Sequence, residues 1–82
     1  MPIYLDDEWH AFLSDETRVK RVYRDEVLIG RVRRWQVSEP GELTREWYTA
    51  ERCEGSLLVQ IEGKQPDFEE ALQRVVFYGV AH

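Results

Sequence analysis

Histidine and cysteine are scarce in this chain and glycine is nowhere clustered, which removes most catalytic designs at the outset. The two histidines, His10 and His82, and the one cysteine, Cys53, stand at no spacing that a metal site uses, where several such ligands must converge. A single cysteine excludes an internal disulfide, which sets aside stapled secreted miniproteins and fits a reducing cytoplasm. The five glycines are scattered singly, so no glycine-rich loop is present to cradle a phosphate. Ser14, Ser38 and Ser56 lack the surroundings of a nucleophile elbow. His10 therefore reads as a surface residue and Cys53 as a small residue at a strand edge. The expectation is a protein that is not an enzyme, with no cofactor and no metal.

Long apolar runs are also missing. The longest, Leu57-Leu58-Val59, is far short of the roughly 20 residues a bilayer span needs. The first eight residues, Met1 to Glu8, contain neither a basic region nor an apolar one, so no signal peptide is visible. A soluble, cytoplasmic protein is expected.

What is present is enough for a core. A chain of 82 residues has room for one, and residues 1–82 read as a single α+β domain. A hydrophobic fraction of 43%, with three Trp, four Tyr and three Phe, argues against disorder. The net charge of −5 hides a segregation. Residues 1–17 hold Asp6, Asp7, Glu8, Asp15 and Glu16 and no base. Residues 18–34 hold Arg18, Lys20, Arg21, Arg24, Arg31, Arg33 and Arg34 against only Asp25 and Glu26. Residues 35–82 are acidic again, with nine carboxylates against four bases.

The hydrophobic pattern suggests the elements. Trp9, Phe12 and Leu13 fall at i, i+3, i+4 behind Asp6, Asp7 and Glu8, which predicts a short N-terminal helix over Asp6 to Leu13. Strands are predicted at Arg18–Arg24, Val27–Val37, about Leu43–Arg52, and from Leu57 to Glu62, where apolar and polar residues alternate. Asp25-Glu26, Glu39-Pro40-Gly41-Glu42 and Glu54-Gly55 are the turns between them. Gly30, inside the second strand, marks a bulge or a close backbone approach. Phe68, Ala71, Leu72, Val75 and Val76 make one apolar stripe behind Asp67 and Glu70, with Gly79 as a left-handed cap. The expected fold is thus a short helix, a four-stranded antiparallel meander, and a C-terminal helix packed on one sheet face. That order is superficially similar to double-stranded-RNA-binding domains. Their last helix opens with lysines, however, and this one opens with Asp67, Glu69 and Glu70, so the resemblance is set aside.

One constellation stands out. The basic hairpin lies beside Trp35, Trp47 and Tyr48, and alternation places Arg31, Arg33 and Trp35 on one face with Arg34 on the other. Three readings compete. The arginines are neutralised within the chain by Glu46 and Glu51; or they form a protein-binding face, since Arg, Trp and Tyr dominate interface hot spots; or they track nucleic-acid phosphates while the aromatics stack on bases. The sixteen acidic residues weigh against the last. The leading expectation is a protein-binding regulator or inhibitor of a larger protein, such as one that handles nucleic acid, of the anti-CRISPR kind carried by phages and mobile elements. Its contact residues would be Arg31, Arg33, Arg34, Trp35, Trp47 and Tyr48. A small nucleic-acid-binding accessory domain and a homo-oligomer subunit are the alternatives. No membrane partner is expected.

Overall fold

The computed structural model describes residues 3–12, 14–38, 40–41 and 44–78. Leu13, Glu39, Glu42, Leu43, Gly79 and His82, named above in an expected helix, turn, strand, cap or terminus, lie outside the described residues.

The spine is a long hairpin of β3 (Ser14–Arg24) and β4 (Val27–Val37). Its two-residue turn, Asp25-Glu26, has φ of 50° and 68°, the left-handed geometry that matches the twist of antiparallel strands. β5 (Arg45–Glu54) pairs with β4, and β6 (Leu57–Gln65) pairs with β5 across a turn in which Gly55 takes a φ of 64°. α1 (Phe68–Tyr78) follows. The Asp67 side chain caps it, accepting a hydrogen bond from the Glu70 amide at 2.9 Å.

The predicted helix over Asp6 to Leu13 does not form, and the sheet has six strands rather than four. In its place are two short strands, β1 (Ile3–Leu5) and β2 (His10–Phe12), both antiparallel to the outer side of β3. A helix of barely two turns does not recover the cost of its own nucleation. Laid along β3, the same residues gain ladder partners. The stretch from Asp6 to Trp9 interrupts this edge. There Asp6 stands in for a strand neighbour: its amide donates to the Arg21 carbonyl, and its carboxylate accepts from the Arg21 amide at 2.9 Å. Among the described residues, the corrected architecture is a sheet ordered β1-β3-β4-β5-β6, with β2 sharing the outer side of β3, and one helix at the C-terminal end.

The core lies between α1 and one face of the sheet. Val32, Ala50 and Ile61 form a cross-strand row, joined by Val22 and Ile29 and covered by Ala71 and Val75. Val22, Val32 and Val75 are fully buried, which stabilises the fold by about 1.5–3 kcal/mol for each side chain. The register shifts between Val22 and Tyr23, so that Gly30 pairs with Val22 and Leu28 with Tyr23, leaving Ile29 as the bulge residue that joins the core. Gly30 serves as bulge neighbour and close approach together: a Cβ there would lie 2.7 Å from the Val75 side chain and against the Glu51 carbonyl.

Candidate binding face of the sheet

Register sorts the six candidate residues. Arg31 pairs with Glu51, Arg33 with Thr49, Arg34 with Tyr48, and Trp35 with Trp47. Side chains alternate along each strand, so Arg31, Arg33, Trp35 and Trp47 share the face opposite α1, while Arg34 and Tyr48 stand on the helix-bearing face. The six therefore divide four and two.

The two on the helix side belong to the packing around α1. Tyr48 meets Trp9 and Phe68 at centroid distances of 6.2 and 6.3 Å, and Trp9 meets Phe68 edge-on at 5.7 Å. The Arg34 guanidinium lies 4.8 Å over the Trp9 ring and the Lys20 ammonium 5.4 Å from it. Trp9 thus seals the start of α1 beneath two cations. The Tyr48 hydroxyl donates to Glu46 at 3.3 Å, and burial together with the nearby Glu46 charge pushes its pKa up.

On the other face, Trp35 and Trp47 stack across the β4–β5 ladder, 5.8 Å apart and 5° from parallel. The Trp35 indole N–H donates to the Thr49 hydroxyl at 3.0 Å, which fixes the ring's orientation. Arg33 lies 5.3 Å from the Trp35 ring and Lys64 lies 4.8 Å from the Trp47 ring, so cations lie against both rings. Arg31 and Arg33 both pair with Glu51, which is only 4% exposed; the Arg33 contact is 3.1 Å. Thr17, Val19 and Thr49 are buried on this face as well. Cys53 stands on this face too; burial pushes its thiol upward and the Arg31 charge offsets that only in part.

The basic hairpin is therefore largely engaged within the chain. Arg21 donates from Nε to Asp6 at 3.0 Å, Arg18 to the Thr17 carbonyl at 3.0 Å, and Arg52 pairs with Glu54 at 3.1 Å. Glu51 plays the neutralising part that sequence suggested for it, whereas Glu46 instead accepts from Gln36 at 2.6 Å and from Tyr48. Asp6 is held below the ordinary carboxylate range. Burial pushes it upward, but the Arg21 amide, guanidinium hydrogen bond and charge together outweigh that.

Lys64 is the participant that sequence reasoning missed. The β5–β6 register shifts between Tyr48 and Ala50, and Gly63 takes a φ of 106°, so the alternation that would have placed Lys64 is broken just before it. Among the described side chains, this face carries Arg21, Arg31, Arg33, Arg45 and Lys64 against Asp6 and Glu51. It is positive on a chain whose net charge is −5. Comparison with protein-family models, curated proteins and solved structures finds no significant match.

Proposed function

We propose that this chain is a non-catalytic binding module that regulates or blocks a larger protein, laying its helix-free sheet face against an acidic surface of that partner. The observation that carries the reading is the stacked Trp35–Trp47 pair between Arg33 and Lys64, on the face left bare by α1. Tryptophan and arginine supply most of the binding energy at protein interfaces, because they combine a large contact area with directed hydrogen bonds. Here they are already ordered. Glu51 fixes the two guanidinium groups and Thr49 fixes one indole, which spares part of the roughly 0.5–1.5 kcal/mol that each immobilised side chain costs on association. Preordering also accounts for the retention of a buried ion cluster, since hydrophobic residues of similar volume are often at least as stabilising.

The acidic character of the partner follows from charge. A positive face on a negative body orients an approaching acidic surface and repels the rest of the molecule from it. Nucleic acid offers the same sign of charge, and the indoles could stack on its bases, so a net charge of −5 opposes both kinds of partner alike and experiment has to separate them.

The test uses two defined probes, a poly-glutamate peptide and a single-stranded DNA oligonucleotide, titrated while tryptophan fluorescence is followed. The peptide is expected to bind, with affinity falling as salt rises and dropping about tenfold in Trp47→Ala and in Lys64→Glu. Tighter binding of the oligonucleotide would transfer the assignment to the nucleic-acid reading, and binding of neither would remove it.

A further inference from the structure

The two edges of the sheet are built differently. On one side, β1 and β2 are three residues each and are separated by the Asp6–Trp9 interruption, so no continuous row of backbone groups is offered there. On the other side, β6 runs for nine residues, bulged at Gly63 near its end, and among the described strands it pairs with β5 alone. Its outer backbone groups face no described strand.

Beside that edge runs a shelf formed with α1. Two shallow depressions of about 660 and 580 Å³ meet at Arg74 and Tyr78; Arg52, Ile61 and Glu62 line the first, and Glu70, Gln73 and Phe77 the second. Large apolar side chains are exposed along it, Phe77 at 70% and Tyr78 at 42%. Phe77 and Tyr78 rest edge-on at 4.9 Å, forming one aromatic block. Arg74, Glu62 and Glu70 make no ion pair among the described residues. The shelf therefore combines an open strand edge, exposed aromatic surface and unmatched charges of both signs.

A partner of one charge would satisfy only half of that set. A second copy satisfies all of it, because a two-fold interface matches residue i to j and j to i. We infer that β6 and this shelf form a symmetric interface between two copies of the chain, with the two β6 strands antiparallel. The two-fold axis then stands perpendicular to the sheet, and both helices lie on the same face. Arg74 of each copy meets the Glu62 and Glu70 carboxylates of the other, and the Phe77–Tyr78 blocks cover the joined edge. Strand addition of this kind draws its affinity from main-chain hydrogen bonds and its specificity from the flanking side chains. The stacked Trp35 and Trp47 lie on β4 and β5 and stay open in the pair, so this inference stands independently of the function proposed above, although Lys64 belongs to β6.

Sedimentation velocity on the full chain, from micromolar to submillimolar concentration, is the test. The expected result is a concentration-dependent monomer–dimer equilibrium. Arg74→Glu alone, and Glu62→Arg with Glu70→Arg, should each weaken it about tenfold or more through like-charge repulsion. An equimolar mixture of the two variants should regain the dimer, which a simple failure to fold could not produce. A wild type that stays monomeric throughout overturns the inference. So does a dimer indifferent to these changes, or one abolished by Trp35→Ala with Trp47→Ala, which would place the contact on the other face.

Discussion

At the scale of single residues, Gly30 sets how closely the helix approaches the sheet. Its φ is not left-handed, so the demand for glycine is one of space alone: the Val75 side chain and the Glu51 carbonyl occupy where a methyl group would go. Gly30→Ala should therefore overpack the junction of α1 with β4 and β5, at a cost of about 1–3 kcal/mol. In a domain this small that lowers the melting temperature by roughly 4–8 °C per kcal/mol, readable by circular dichroism. Asp6 gives a prediction of a different kind. Its carboxyl is depressed in the folded protein by Arg21, so the unfolded chain takes up the proton first as pH falls. The stability from this contact is complete above the ordinary carboxylate range and fades as pH drops through the lower folded value. Asp6→Asn should flatten the acid limb of stability against pH, and the two proteins should converge at its lowest end. Half-exposed Arg21 is screened by solvent, so the difference will be small. Denaturant melts from about pH 6 to 2 would measure it.

At the scale of elements, the β3–β4 hairpin holds the clearest local misfit. Asp25 and Glu26 both have positive φ, which aspartate tolerates better than glutamate does. Glu26→Gly would create the Asp-Gly pair that two-residue turns of this hand favour. It should raise stability by about 0.5–1 kcal/mol, visible as a higher melting temperature. An unchanged or lower one would contradict the positive φ. β4 and its turn were legible in the sequence because Asp25-Glu26 interrupts a run of strand formers, and α1 because five apolar residues repeat at helical spacing behind a carboxylate. The N-terminal segment misled for the same reason. Trp9, Phe12 and Leu13 fit a helical period, but three residues cannot distinguish that period from two short strands separated by an irregular stretch. What decided it was tertiary: the free side of β3 was available, and Trp9 could reach Phe68 and Tyr48.

At the scale of the whole molecule, the basic middle of the chain becomes the middle of the sheet, and the pleat divides it. Arg31 and Arg33 go to one side; Lys20 and Arg34 go to the other, over Trp9. Alternation showed that Arg33 and Arg34 must part. Only register could show that Trp47, and not Tyr48, joins Arg33: the β4–β5 ladder is itself unbroken, and two bulges fall in the flanking β3–β4 and β5–β6 ladders. The contribution of Lys64 was hidden by the second of those bulges.

The interrupted rim at Asp6–Trp9 has one further consequence. A sheet with two welcoming sides can accrete copies without limit, and that is how flat β proteins run into fibres. On the pairing inferred above, this one is lengthened from a single side, so the first docking event uses up the means for a second. Crowding the chain should then yield pairs that remain in solution, and a change that straightened the stretch around Asp6 would be the way to turn it into a polymer.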